Sequence, residues 1–210
     1  MRRHTVKSYD KDLRHLDELI AKAGKLVLEM FVLHNNALHK HTPEITKQIH
    51  SIDLKVNNTE KEISDHAIVM LATRQPVAID LRHIISSLKM SVIIERMGDI
   101  SKHIVDRSER QNVSIPDDIF KDLDRMNDMV SHMLRRALHA YKALDTNEAF
   151  EVIKLDLEID KLYSCIMERV SATKSSLSND VSSLMQFTIC LKNIERLGDY
   201  IKKLANITHY

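Results

Sequence analysis

One pentapeptide pattern occurs twice in this chain, and its glycine constrains the fold more than any other feature. The first copy is Glu-Arg-Met-Gly-Asp at 95–99, and Glu-Arg-Leu-Gly-Asp follows 100 residues later at 195–199. Both copies lie in long stretches with helical periodicity, where a glycine costs about 1 kcal/mol relative to alanine. The 210-residue chain has only three glycines and three prolines. Two glycines at equivalent points inside helices therefore indicate close helix contacts, and the scarcity of turn residues predicts a few long helices.

Hydrophobic periodicity divides the chain into helices of similar length. Between the prolines and the polar breaks, apolar residues recur at spacings of three and four, and no stretch alternates with period two. Ser178 or Asn179 is expected to cap the last helix. The pattern predicts six helices, over roughly 5–38, 43–73, 76–110, 116–143, 147–174 and 179–208.

The two halves of the chain match beyond the pentapeptide. The segment 53–57, Asp-Leu-Lys-Val-Asn, corresponds to 156–160, Asp-Leu-Glu-Ile-Asp, at an offset of 103. The predicted fold is therefore all-α, a tandem duplication of an antiparallel three-helix bundle with six helices in total. We place the first repeat at 1–112 and the second at 113–210.

Pairs of acidic residues at i,i+4 spacing occur on the second and third helices of each repeat, except that Asn57 replaces one acid on the second helix of the first repeat. In the first repeat, Asp53 lies 23 residues before Pro76 and Glu95 lies 19 residues after it. Because helices joined by a short turn run antiparallel and pack together, these positions lie at similar heights and can face each other. Asp156, Asp160, Glu195 and Asp199 form the corresponding set in the second repeat.

Converging carboxylates repel unless a cation neutralises them. Oxygen ligands favour hard cations such as Mg²⁺, Mn²⁺ or Ca²⁺, and a histidine would favour Fe or Zn. His103 lies four residues after Asp99 on the same helix face, whereas Lys203 occupies the equivalent place in the second repeat. The second site is therefore expected to be the poorer one. The predicted metal ligands are Glu95, Asp99, Glu195, Asp199, Asp53, Asp156, Asp160 and His103.

A salt-bridged helix face is the alternative explanation of these carboxylates. Lys192 lies three residues before Glu195, Lys202 lies three residues after Asp199, and Lys102 lies three residues after Asp99. Most of the twelve histidines are expected at the surface. With 31 basic and 30 acidic residues, the chain gives no reason to expect nucleic acid as a partner.

Neither an enzyme nor a membrane-spanning protein is expected. No apolar run approaches the ~18 residues of a membrane span, so a cytoplasmic protein is predicted. No nucleophile constellation, P-loop or dinucleotide fingerprint is present. The absence of any Glu-x-x-His string argues against a carboxylate-bridged di-metal enzyme or metal store, which usually carries two such motifs.

These strings resemble those of the PhoU family, the phosphate-signalling regulators of bacteria and archaea. The likeness rests on the two pentapeptides and on residues 74–82, Arg-Gln-Pro-Val-Ala-Ile-Asp-Leu-Arg, which look like the Gln-Pro-x-Ala-x-Asp-Leu-Arg string of that family. The duplicated architecture extends the resemblance over nearly the whole chain.

The resemblance implies a cytoplasmic negative regulator of phosphate uptake and phosphate-responsive signalling. Such a protein would be an adaptor between the phosphate importer ATPase and a membrane sensor kinase, peripheral to the membrane through its partners, and a homodimer. It also implies a divalent or trivalent metal ion, Fe, Zn, Mn or Mg, at the Glu-x-x-x-Asp strings. Besides the di-metal enzyme or store, a metal-free helical scaffold that binds a basic partner remains an alternative.

Overall fold

The structure is a computed structural model that describes residues 2–74, 76–109, 115–172 and 181–208. Over these residues it contains six α-helices and no other regular element, which confirms the predicted fold class. The predicted helix ends agree with the observed ones within three residues. The repeat boundary between 112 and 113 and the proposed caps Ser178 and Asn179 lie outside the described residues. The helices are α1 Arg2–His39, α2 Pro43–Arg74, α3 Ala78–Ser108, α4 Asp117–Ala143, α5 Thr146–Ala172 and α6 Val181–Ile207.

Local sequence explains where the helices of each repeat turn back. Pro43 is the first residue of α2, and the Thr42 hydroxyl accepts a hydrogen bond of 3.3 Å from the backbone N–H of Ile45. Helix α4 ends at Ala143, and the next residue, Leu144, adopts a left-handed backbone conformation with φ of 53°. Asp145 then accepts two backbone hydrogen bonds of 3.0 Å from the first turn of α5. Both turns are therefore short, and consecutive helices run antiparallel.

The two repeats share one core. The helices of each repeat pack against one another, and between repeats α1 packs against α4 and α3 against α6. Among the described residues, α2 contacts only α1 and α3, and α5 contacts only α4 and α6. Four central helices therefore hold the repeats together, while α2 and α5 flank them on the outside.

Cross-repeat contacts show that the paired central helices are antiparallel. Near the end of α1, Asn35 donates to Asp124 near the start of α4 at 3.0 Å. Toward the other end of α1, His83 Nε2 lies 2.8 Å from Asp17 Oδ1 and 3.4 Å from the hydroxyl of Tyr141 near the end of α4. At an intermediate height, a methyl group added at Gly24 of α1 would collide with Leu138 Cδ1 of α4. This third glycine, outside the pentapeptides, thus leaves the space that the Leu138 side chain occupies between the two repeats.

One histidine departs from the expected surface location. His34 of α1 is fully buried at the repeat interface, and its Nε2 lies 2.7 Å from Asn127 Oδ1 of α4. Asn127 Nδ2 in turn donates to Asn35 Oδ1 at 2.6 Å, which fixes the orientation of the amide.

In the described part of the chain, no helix combines the length and the apolar character needed to cross a lipid bilayer.

Candidate functional site

The first carboxylate cluster lies between α2 and α3 and is held together by a lysine. Lys102 Nζ lies 2.8 Å from Asp53 Oδ2 of α2 and 2.9 Å from Asp99 Oδ1 of α3. Asp53 is only 6% exposed. Although burial lowers the pKa of Lys102, its bonds to the two carboxylates outweigh that effect and raise it. The prediction that the carboxylates of α2 and α3 lie at one height is thus confirmed for Asp53 and Asp99, and the cation between them is an ammonium.

Glu95 belongs to the same cluster. Burial raises the pKa of Glu95, and repulsion from Asp99 and from Glu60 raises it further. Glu60 was not among the predicted site residues, although its position seven residues after Asp53 places both on one face of α2. The Ser64 hydroxyl donates to Glu60 Oε1 at 2.9 Å.

Two oxygen atoms of this cluster have no hydrogen-bond donor among the described residues. They are Asp53 Oδ1 and Asn57 Oδ1, both buried and both on α2 at i,i+4 spacing. A buried acceptor without a partner costs about 1–3 kcal/mol. Because both atoms are hard oxygen donors, their chemistry suits Mg²⁺, Mn²⁺ or Ca²⁺. These residues therefore fit a hard cation, on the condition that Lys102 moves aside.

The second cluster lies between α5 and α6 and is also paired with lysine. Lys202 Nζ lies 2.6 Å from Asp156 Oδ2, and Asp156 is 1% exposed. Burial raises the pKa of Asp156, the Lys202 ammonium opposes this rise, and repulsion from Asp160 and Asp199 adds to it. Asp160 and Asp199 therefore lie near enough to Asp156 to repel its charge.

The remaining predicted ligands have different surroundings. Glu195 is 9% exposed, and its Oε2 lies 2.6 Å from Lys192 Nζ. His103 is exposed on α3, and none of the described side chains forms an ion pair or hydrogen bond with it. In the second repeat, Lys203 at the equivalent position lies with its Nζ 4.7 Å from the centroid of the Tyr200 ring. Thus neither His103 nor Lys203 forms an ion pair or hydrogen bond with the described carboxylate cluster of its own repeat.

Metal binding by these residues stays a prediction. In the arrangement described, no three His, Cys, Asp or Glu side chains among the described residues converge closely enough to hold one ion. Lys102, Lys202 and Lys192 instead supply the positive charge. Among the described candidate residues, the buried oxygen atoms without a hydrogen-bond donor are Asp53 Oδ1 and Asn57 Oδ1 in the first repeat and Glu195 Oε2 in the second. Only Glu195 Oε2 already has an ammonium group beside it, that of Lys192 at 2.6 Å. The first repeat is therefore the better candidate site.

Gly198 positions the second cluster by allowing α5 and α6 to approach. A Cβ atom at Gly198 would lie 3.2 Å from Asp156 Oδ1 and 3.3 Å from Ile159 Cδ1. At Gly98 the nearest atoms would be Met30 Sδ at 3.5 Å and Val56 Cγ1 at 3.6 Å, which are ordinary contacts. The close approach expected at both glycines is therefore present only at Gly198.

Comparisons with known proteins agree with this duplicated architecture. The family model described as the PhoU domain matches residues 20–108 and 123–208. A "Phosphate-specific transport system accessory protein PhoU homolog" of Zymomonas mobilis is 32% identical over 207 residues, which cover 99% of this chain and 87% of that protein. The homolog of Clostridium acetobutylicum is 30% identical, with 98% and 94% covered.

Solved structures show the same fold. The crystal structure of PhoU from Pseudomonas aeruginosa has a TM-score of 0.88 at 25% identity, with 96% of this chain and 97% of that chain covered. The phosphate transport system regulatory protein PhoU from Streptococcus pneumoniae has a TM-score of 0.87 at 24% identity, with 96% and 95% covered.

Proposed function

Because this chain belongs to the PhoU family of phosphate-transport accessory and regulatory proteins, which are not enzymes, we propose that it is a negative regulator of phosphate uptake. In this proposal it acts in the cytoplasm as an adaptor between the phosphate importer ATPase and a membrane sensor kinase. The observation that carries the proposal is the match of both repeats to the PhoU domain, together with relatives aligned over nearly the whole chain.

The test is a deletion of the gene in its own organism. Uptake of radiolabelled phosphate and a phosphate-responsive reporter are measured in abundant phosphate. We expect both to rise in the deletion strain and to return to the original level when the wild-type chain is supplied. Co-purification with the importer ATPase and with the kinase tests the adaptor role. Unchanged uptake in the deletion strain would contradict the proposal.

The cluster between α2 and α3 is proposed as a divalent-cation site. Asp53 and Asn57 would supply their unpartnered oxygen atoms, and Glu95 and Asp99 would add carboxylates from α3. A bound cation would neutralise this group and hold α2 against α3 in place of Lys102. Because ligands must be deprotonated and the pKa of Glu95 is raised, binding should release protons and strengthen as the pH rises.

Elemental analysis of untagged protein, purified without chelator and then loaded with Mn²⁺, Mg²⁺, Fe²⁺ or Zn²⁺, tests this site. The variant Glu95→Ala/Asp99→Ala is compared with Glu195→Ala/Asp199→Ala as the matched control. We expect stoichiometric metal in the wild type, and a greater loss in the first variant. Wild-type protein that stays metal-free after loading with each cation would refute the metal site.

A metal-free scaffold is the second candidate, and the lysine pairing favours it. The Lys102 ammonium already lies between Asp53 and Asp99 and offsets part of their negative charge, so a cation other than a metal ion occupies this position. The variant Lys102→Met separates the two candidates. If Lys102 competes with a metal ion, the variant should bind Mn²⁺ more tightly than the wild type. If the cluster is a structural ion pair only, the variant should lose stability and gain no metal affinity.

The homodimer implied by the resemblance is part of the proposal. Sedimentation equilibrium of the full chain measures it directly, and a mass of one chain at all concentrations used would contradict it.

A further inference from the structure

An open groove runs along the seam where α3 of the first repeat meets α6 of the second. The two helices are antiparallel, because Arg107 of α3 donates to Gln186 near the start of α6 at 2.9 Å, whereas Leu88 lies near Ile207 at the other end. The groove has a volume of about 590 Å³. It lies on a different side of α3 from the carboxylate cluster, so a partner can bind in it whether or not that cluster holds a metal ion.

The floor of the groove is apolar. Its apolar lining residues are Leu88, Val92 and Ile93 of α3 and Ile207 of α6. Beyond the groove, Leu81 (41% exposed) and Ile85 (37%) continue the stripe that Leu88 and Val92 (42%) form on α3, at spacings of three and four. The opposite face of α3 is buried in the core. This helix therefore has two apolar faces, and the second one is open to solvent. A continuous apolar stripe of this kind marks a surface that contacts a partner.

The walls of the groove are positively charged. Lys89, Arg96 and Lys203 line it, and no carboxylate is among its lining residues. Tyr200 lies among these cations, and its interaction with the Arg96 guanidinium, with smaller effects of Arg196 and Lys203, lowers the pKa of Tyr200. The chain as a whole has a net charge of only +1. The concentration of cations at this seam is therefore a local feature that selects a partner of negative charge.

The shape of the groove selects among anionic partners. A flat bilayer cannot reach the floor of a cleft between two helices, whereas a helix can lie along it with apolar residues at i, i+3, i+4 and i+7. In a two-fold symmetric dimer formed through this groove, the positively charged walls of the two copies would face each other. Like-charge juxtaposition disfavours that arrangement. A partner helix with an apolar face flanked by acidic residues complements both the apolar floor and the positively charged walls.

We propose that the α3–α6 groove is a docking site for an amphipathic helix of another protein, with an apolar face flanked by Asp or Glu. The apolar face packs on Leu88, Val92 and Ile207, and the flanking carboxylates pair with Lys89, Arg96 and Lys203. Such pairs lie at the rim, so they contribute to association rate and selectivity, and burial of the apolar face contributes most of the affinity.

The experiment uses the full chain and two labelled helical peptides of roughly 18 residues, or about five turns. Both have the same leucine face, which is flanked by Glu in one peptide and by Lys in the other. Fluorescence anisotropy measures binding. We expect the Glu peptide to bind at least about tenfold more tightly than the Lys peptide, and its affinity to fall with added salt.

Two variants test whether binding occurs in this groove. Val92→Asp places a charge on the floor, and its control Ile68→Asp changes an exposed apolar residue of α2, which is 60% exposed against 42% for Val92. The first should weaken the Glu peptide about tenfold or more, and the second should have no effect. The double variant Lys89→Glu/Lys203→Glu should reverse the preference between the two peptides.

Several results would overturn the proposal. These are binding of neither peptide, equal binding of both, or equal effects of the two Asp variants with circular dichroism spectra that show intact helices. Binding to anionic vesicles that Val92→Asp abolishes would assign the groove to a membrane surface instead. Self-association abolished by the same variant would assign it to a second copy of the chain.

Discussion

Replacing the two pentapeptide glycines by alanine should affect stability differently: Gly98→Ala should stabilise the protein, and Gly198→Ala should not. A methyl group at Gly98 would meet only Met30 Sδ at 3.5 Å and Val56 Cγ1 at 3.6 Å. A methyl group at Gly198 would lie 3.2 Å from Asp156 Oδ1 and 3.3 Å from Ile159 Cδ1. The two substitutions are chemically identical and occupy equivalent positions of the repeats, so the difference between them isolates the packing of α5 against α6.

The magnitudes follow from helix propensity and packing. Alanine is favoured over glycine inside a helix by about 1 kcal/mol, and the methyl group at Gly98 adds up to about 0.8 kcal/mol of apolar burial. We expect Gly98→Ala to raise the free energy of unfolding by about 1 kcal/mol or slightly more. At Gly198 the backbone gain is the same, but Asp156 is held by Lys202 at 2.6 Å and Ile159 is fully buried. Since neither neighbour can move freely, overpacking costs about 1–3 kcal/mol, and the net effect is neutral to destabilising.

Urea unfolding followed by far-UV circular dichroism measures both variants, and thermal unfolding provides an independent check. A difference of 1 kcal/mol corresponds to roughly 2–4 °C in a protein of this size. Ile159→Val removes the Cδ1 atom that the new methyl group would meet. In the Ile159→Val background, Gly198→Ala should therefore lower the free energy of unfolding less than it does in the wild type. The reasoning is refuted if Gly98→Ala and Gly198→Ala change the stability by the same amount.

Four further substitutions test the buried polar groups. Burial lowers the pKa of His34 to about 4, whereas in the unfolded chain its pKa is about 6.5. Between these values the native state keeps His34 neutral and the unfolded chain is protonated. The free energy of unfolding therefore falls by about 2 kcal/mol between about pH 7 and about pH 5. His34→Gln should remove that part of the pH dependence in urea unfolding at several pH values. Asn127→Leu leaves the His34 donor without its acceptor and should cost about 1–3 kcal/mol in the same assay. Lys102→Met leaves Asp53 buried without its cation and should cost about 3 kcal/mol, whereas Asp53→Asn in the same chain should recover much of the loss; equal stability of the single and double variants would contradict the ion-pair assignment.

The helices could be predicted from sequence because their boundaries have local causes. Thr42 and Pro43 begin α2, and Asp145 caps α5 with side-chain acceptors that act over two or three residues. The equal height of the carboxylates on α2 and α3 follows equally from hairpin geometry, because both distances are counted from one turn. These features require no knowledge of how the two repeats pack.

Cross-repeat packing depends on information that periodicity does not contain. The central helices have more than one apolar face, so the spacing of apolar residues does not show that α1 contacts α4. His34 could have been identified as buried, because it lies three residues after Phe31 and seven after Val27 on the buried stripe of α1. Its partner Asn127 lies 93 residues away, and no local pattern connects the two.

The lysine pairing was visible in the sequence only as one of two alternatives. Lys102 lies three residues after Asp99, where its long side chain can extend into solvent or turn toward α2. The outcome depends on Asp53, a buried carboxylate on another helix whose charge must be neutralised. The sequence therefore located the carboxylates, whereas the choice of cation required the packing of α2 on α3.

The pentapeptide places parts of both proposed sites of α3 within one helical turn. Glu95 and Asp99 are four residues apart and share the side facing α2, whereas Arg96 is turned by about 100° toward α6 and the groove. A cation bound at the cluster would add positive charge on the same turn that presents Arg96 to an acidic helix. Mn²⁺ should therefore tighten binding of the Glu peptide, and by thermodynamic reciprocity the peptide should tighten binding of Mn²⁺. Anisotropy titrations with and without Mn²⁺ measure this coupling, with Glu95→Ala/Asp99→Ala as the control in which it should disappear; an affinity that Mn²⁺ leaves unchanged in the wild type would show that the two sides of α3 act independently.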